Sequence, residues 1–265
     1  MPRPASSRLP STATLMLLAL AAAAGPLGCK KNEAPPPPAA AAAPAAAPAA
    51  SAGAGAFGKG TIAGNVKFTG KAPEMRPLST PDPFCARQPI KEEDVIVGPG
   101  NGLKNVIVRV VKGTSGAYDS PATTATIDQS GCMYRPRVQV VMAGQSLQIR
   151  NSDQTLHNVH TYRGPSTMFN QAQIPGMAPL TKTLTDGGQI IKFKCDVHPW
   201  MTGYVAVATN PFFAVSGDDG SFTIDKLPPG TYTVEAWHER LGTRTADVTV
   251  AEGAPAKLQL EFTTP

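Results

Sequence analysis

Ile191-Lys192-Phe193-Lys194-Cys195-Asp196-Val197-His198-Pro199-Trp200-Met201 alternates apolar and charged side chains for five residues and then breaks. Successive side chains of an extended strand leave on opposite faces. Ile191, Phe193 and Cys195 therefore share one face, with Lys192 and Lys194 on the other, and Cys195 points toward a core at the end of a strand. His198 and Met201 follow it in a short loop. Upstream, Leu156-His157-Asn158-Val159-His160 has the same period, with His157 and Val159 on one face and Asn158 and His160 on the other. A regular strand offers only one of these histidines to the core. The partner of a core-facing Cys195 is then His157, and His160 reads as a solvent-facing histidine.

Working outward, period-two segments punctuated by glycine and proline recur at 61–66, 106–110, 138–140, 146–150, 189–195, 204–207, 221–224, 232–236 and 257–262. Beyond residue 58, no stretch sustains an amphipathic helical pattern of ten residues or more. Short strands at this spacing predict an all-β chain of sandwich architecture.

His157, Cys195, His198 and Met201 together offer one thiolate, two imidazoles and one thioether. That is the donor set of a blue-copper electron-transfer site, in which the thioether is a weak axial ligand. A structural zinc site wants four strong donors, and a thioether serves copper better. The pattern as a whole resembles the cupredoxins, and among them the amicyanin group: an asparagine-ended strand, His157-Asn158-Val159-His160, then Cys-x2-His-Pro-x-Met. The resemblance covers about residues 128–208. It implies a Greek-key β-sandwich carrying one type 1 copper ion, with His157, Cys195 and His198 as equatorial ligands and Met201 as the axial one. It further implies that Asn158 braces the ligand loop through backbone hydrogen bonds. The ring edge of His198 would emerge through an apolar patch made by Pro199 and Trp200, where a redox partner such as a cytochrome or dehydrogenase would dock.

The chain starts with a different chemistry. Arg3 and Arg8 precede an apolar run at 13–24, and small residues lead into Cys29, which resembles a bacterial lipoprotein signal with Cys29 as the lipid-bearing residue. Pro26 departs from that pattern. The run is shorter than the roughly 20 residues a membrane-spanning helix needs. Residues 1–28 therefore read as a signal peptide, and 29–58, almost all alanine, proline and glycine, as an extended tether. Gly53-Ala54-Gly55-Ala56-Phe57-Gly58 matches a dinucleotide fingerprint but follows no strand and opens no helix, so it reads as a chance match. Loss of 1–28 removes Arg3 and Arg8 and no acid, lowering the formal charge from +5 to +3. That mild surplus, without basic clusters between aromatics, does not suggest nucleic acid.

With Cys29 assigned to lipid and Cys195 to metal, Cys85 and Cys132 remain as an expected disulfide, in keeping with an extracytoplasmic location. Residues 212–234, with Asp219-Gly220 read as a hairpin turn, resemble the carboxypeptidase-regulatory or transthyretin-like β-sandwich. Such a sandwich normally begins with a glycine-rich strand like that at 60–66. The expected layout is 59–123 as an N-terminal β segment completing the C-terminal sandwich, 124–209 as the cupredoxin domain, and 210–265 as the regulatory-like sandwich. In the competing layout, 106–110 is the first cupredoxin strand. No nucleophile elbow, catalytic carboxylate pair or histidine-rich copper cluster can be placed, and His238 reads as a surface hydrogen-bonding residue. The expectation is a monomeric, lipid-anchored electron carrier rather than an enzyme; the alternative is a copper-binding or scaffold lipoprotein with no shuttle role.

Overall fold

The computed structural model of the chain describes residues 53–264, and the expected signal peptide, Cys29 and the tether as far as residue 52 lie outside them. Two of its sheets draw strands from both ends of this span. β1 (Gly60–Thr69) lies between β13 (Ser221–Leu227), antiparallel, and β16 (Ala256–Thr263), parallel. An antiparallel sheet follows the order β12 (Phe213–Val215), β2 (Ile107–Lys112), β14 (Gly230–His238), β15 (Gly242–Val250). Their facing side chains, among them Ile62, Val66, Val108, Phe222, Val234 and Leu260, form one buried cluster.

Two more sheets come from the chain between β2 and β12. One runs β4 (Tyr134–Arg135), β3 (Ala125–Gln129), β6 (Ser146–Asn151), β9 (Leu180–Thr183). The other runs β5 (Val138–Met142), β11 (Thr202–Ala208), β10 (Ile190–Lys194), β7 (His157–Arg163), β8 (Ser166–Gln173). Ile127, Leu147 and Ile149 from the first meet Val159, Phe193 and Val205 from the second in a separate core that also holds Cys195 and Met201. The protein is thus all-β, built as two sandwiches.

A third, smaller cluster explains why β11 is buried on both faces. Ile107, Val138, Tyr204 and Ala206, with Val140, Val215 and Trp237 against them, fill the seam between the sheet of β2 and the sheet of β11. Gly203–Ala208 of β11 are buried without a break, because one face meets the inner core and the other meets the neighbouring sandwich. A strand covered on both faces reads as a continuous apolar run. β2 pairs with β12 and β14, not with any strand of the middle sheets, which runs against the layout that made 106–110 the first strand there. A bidentate ion pair crosses the same seam: Arg137 donates through Nε (2.6 Å) and an Nη (2.9 Å) to the two carboxylate oxygens of Glu239, both side chains only 6% exposed.

Three expectations are corrected here. Asp219-Gly220 does not close a hairpin, because β12 and β13, on either side, belong to different sheets; the turn carries the chain across the sandwich. Gly220 has φ +78°, and a Cβ there would lie 2.2 Å from the Val66 carbonyl oxygen, so both conformation and space demand glycine. His238 is not a surface residue: it is 2% exposed, its Nδ1 accepts the Arg240 N–H, and burial pushes its pKa down to about 4. Finally, residues 53–58 are not free tether. Gly55 donates to the Ala117 carbonyl (2.6 Å), and the Phe57 ring meets Tyr118 and Phe212 edge-on at 5.5 and 5.9 Å.

The connection from β1 to β2 positions the site. It leaves its own sandwich, and Leu78, Phe84, Cys85 and Ile90 pack into the core of the other one. There Cys85 forms a disulfide with Cys132, as the cysteine count suggested.

Candidate metal centre

β7 delivers His157 from its first position, and β10 ends at Lys194, so Cys195 opens the loop that follows. Two backbone hydrogen bonds close that loop: Cys195 N–H to the Met201 carbonyl (3.2 Å) and Met201 N–H to the His198 carbonyl (2.9 Å). The side chains converge. Nδ1 of His157 lies 2.9 Å from Nδ1 of His198, and the Cys195 Sγ lies 3.9 Å from the first and 3.7 Å from the second. His157, Cys195 and Met201 are fully buried and His198 is 1% exposed. His160, on the opposite face of β7, turns away from this group. It bonds Asp196 and Thr167 and stacks on Tyr162 at 4.2 Å.

Each histidine is held from behind by a carboxylate. His157 Nε2 donates to Asp153 Oδ2 (2.9 Å) and His198 Nε2 donates to Asp82 Oδ2 (3.2 Å). An imidazole that donates from Nε2 keeps a lone pair on Nδ1 when neutral, so both rings present Nδ1 to the thiol. Two lone pairs 2.9 Å apart repel unless a proton or a cation lies between them. Around an ion about 2.0–2.1 Å from nitrogen and about 2.3 Å from sulfur, donor atoms stand roughly 3–4 Å apart. The three donors have that spacing, and carboxylate-backed histidines are the usual company of a bound metal. The residues fit a soft first-row ion.

Electrostatics point the same way. Burial works to raise the Cys195 thiol, but hydrogen bonding with His157, the Asn158 and His198 N–H groups and the charge on His157 outweigh it, so its pKa falls below that of a free thiol. Burial would lower His157; Asp153 and the Cys195 sulfur reverse that and raise it. His198 is lowered, first by burial and then by the charge of His157, against the pull of Asp82. Asp82 is drawn down to about 2: burial opposes ionisation, yet it accepts from the Cys85 and Phe84 N–H groups, Thr155 and His198.

Asn158 braces the loop from the side. Its Oδ1 accepts the Asp196 N–H (2.6 Å) and the Val197 N–H (3.4 Å), its Nδ2 donates to Asn170 and Asp196, and its own N–H faces the Cys195 sulfur at 3.4 Å. Pro199 is exposed and Trp200 half-buried; the indole donates to the Cys132 carbonyl (3.0 Å) and its ring lies 5.1 Å from that of His198. One expectation fails. The edge of His198 does not emerge through a surface patch, because Asp82 and the Cys85 sulfur, 3.7 Å from Nε2, cover it. The covering residues come from the connection between β1 and β2, outside the stretch that carries the resemblance.

Asp82 and Asp153 were missed from the sequence. Asp153 stands four residues before His157, a spacing that could have flagged it; Asp82 had only its place three residues before Cys85 to mark it. Both also group with a histidine and a cysteine, as Asp82–Cys85–His198 and Cys132–Asp153–His157. Those cysteines are joined to each other, so neither group has a thiolate to give.

No curated protein matches the chain. Residues 204–263 match the family model of the carboxypeptidase regulatory-like domain. The match begins inside β11 of the middle sheets and leaves out β1 and β2, which pair with the C-terminal strands. Among solved structures, the chain is similar to a purple cupredoxin from Nitrosopumilus maritimus, at 22% identity over 32% of this chain and 99% of that one, TM-score 0.29. It is similar to an oxidized amicyanin variant at 24% identity over 32% and 81%, TM-score 0.29. A copper-containing nitrite reductase from Thermus scotoductus is 20% identical over 38% of this chain and 25% of its own length, TM-score 0.31.

Proposed function

We propose that the protein is a type 1 copper electron carrier in which His157, Cys195 and His198 hold the ion and Met201 is its axial ligand. The observation that carries this is the convergence of two Nδ1 atoms and one thiol within 3.9 Å in a buried site. Bound copper would supply a one-electron couple and a thiolate-to-metal charge-transfer band. The chain's own groups supply the rest. Asp153 and Asp82 fix the two tautomers, Asn158 holds the loop around the sulfur, and the core excludes water. A closed site whose ligands are all but unexposed leaves no room for a substrate, which favours a carrier over an enzyme.

The same proposal includes the setting. The middle sandwich is read as an insertion between β2 and β12 of a regulatory-like sandwich, and Cys29 as a lipid anchor outside the cytoplasm. The partner is read as a cytochrome or dehydrogenase meeting a monomer. With the His198 edge covered, Pro199 and Trp200 are read as the docking face, the Trp200 ring lying 5.1 Å from that of His198 at a cleft of about 340 Å³ also lined by Lys91, Glu93 and Lys192. Trp200→Ala should slow electron exchange with a cytochrome about tenfold or more, the scale of an aromatic hot spot, and leave the visible spectrum of the copper form nearly intact. Stopped-flow rates unchanged with the cytochrome would move the docking face elsewhere.

Redox chemistry separates a carrier from a protein that only stores or displays copper. Met201→Leu is a near volume-conserving change that costs less than about 1.5 kcal/mol of packing. It should keep one copper and the coloured band while shifting the midpoint potential, since the axial thioether tunes the couple without anchoring the ion. A potential equal to that of the unmodified protein would take Met201 out of the site, and an irreversible couple in both would favour storage.

A further inference from the structure

One covalent bond ties together everything that backs the two histidines. The Cys85 N–H donates to Asp82 Oδ1 (2.9 Å), and Asp82 Oδ2 accepts from His198 Nε2. On the other half, the Cys132 N–H donates to Asp153 Oδ2 (2.8 Å), the same oxygen that accepts from His157 Nε2. Cys85 and Cys132 are bonded to each other. The pairing therefore runs His198, Asp82, Cys85, Cys132, Asp153, His157, one continuous series of contacts whose two ends are the Nδ1 atoms. Further bonds stiffen each half. Asp82 also takes the Phe84 N–H and the Thr155 hydroxyl, and Asp153 takes the Gly131 N–H.

We propose that the Cys85–Cys132 disulfide is a brace for the metal centre, setting through Asp82 and Asp153 the spacing and orientation of the two histidine ligands and locking residues 78–90 over the site. The inference rests on the metal reading above. Residues 78–90 come from the connection between β1 and β2, so the outer sandwich contributes the wall that the middle one lacks. Asp82 and Asp153 act as positioning residues: neither faces the thiol, and each works through the Nε2 of a histidine. The brace serves retention. With His198 held by a carboxylate and covered by the disulfide, a chelator reaches the ion only when the 78–90 segment lifts. Loss of such outer partners typically costs about 10–100-fold in metal affinity.

The full chain is loaded with one copper, reduced with ascorbate and challenged with a copper(I) chelator, bathocuproine disulfonate. Asp82→Asn keeps the shape and the Oδ1 acceptor for the Phe84 and Cys85 N–H groups but sets an amide NH2, a donor, against the His198 Nε2–H, so the ring loses its acceptor. It should release copper about tenfold or more faster than the unmodified protein and alter the copper(II) electron paramagnetic resonance spectrum, with its unfolding temperature nearly unchanged. The Cys85→Ala/Cys132→Ala double variant should release copper faster still. Should that variant fail to fold, Cys85→Ser/Cys132→Ser is read in its place, with the same faster release expected. Copper-loaded variants with unmodified release rates and spectra would overturn the brace and leave the copper site standing. Faster release from Asp82→Asn alone would overturn the part given to the disulfide. Failure of the unmodified chain to bind copper would sink the metal reading and the brace with it.

Discussion

Cys195→Ser should leave a folded but colourless protein whose copper affinity falls by more than about 100-fold, beyond the 10–100-fold that outer-shell changes cost. The thiolate is the only soft donor among the three converging groups, and charge transfer from sulfur is what gives such a site its colour. Serine can still accept the Asn158 N–H that now faces the sulfur, so the loop keeps its bracing and the chain folds. Visible absorption after copper addition, read beside thermal unfolding, checks both halves. A variant that retained the band of the unmodified protein would mean that Cys195 is not a ligand.

Arg137→Met should destabilise the protein by about 3–5 kcal/mol, the usual cost of leaving one member of a buried ion pair alone. Glu239 would remain in the seam between the sandwiches, near Tyr204 and without its bidentate partner. Burial already raises the Glu239 pKa even with Arg137 present, and removal of the guanidinium raises it further. A carboxyl whose folded pKa lies above its unfolded one favours folding below the unfolded pKa and loses that contribution as pH rises through the folded value. The deficit should therefore be larger near pH 8 and shrink toward about pH 5. The double change Arg137→Met/Glu239→Leu should recover most of it, because an apolar pair of similar volume often replaces a buried ion pair at little cost. Denaturant unfolding of the unmodified protein and the two variants at both pH values checks this; a single-variant loss under about 0.5 kcal/mol would mean the pair does not weld the sandwiches.

Legibility in the sequence followed from period. Alternation in 191–195 and 156–160 oriented Cys195, His157 and His160 without any structure, because a two-residue repeat fixes faces wherever one side is buried. β8 was not marked, since Ser166–Gln173 is an edge strand whose side chains are mostly polar and exposed, and β15 was not, since its first half is threonine- and arginine-rich with little buried. Those strands are specified by their neighbours rather than by their own pattern. Asp82 was invisible for a different reason. It acts on a histidine 116 positions away from an irregular loop, where no period exists to read. The covering of His198 followed from the same loop and was missed with it, whereas the Cys85–Cys132 link, which fixes that loop, was legible from counting cysteines.

The most direct measurement is a titration of the full chain with copper(II), followed by visible absorption and electron paramagnetic resonance. An intense thiolate-to-copper band should rise linearly and stop at one equivalent, with the resonance signature of a copper–thiolate site. A folded protein that binds no copper, or binds it with the weak absorption of a site made of nitrogen and oxygen alone, would contradict the copper assignment.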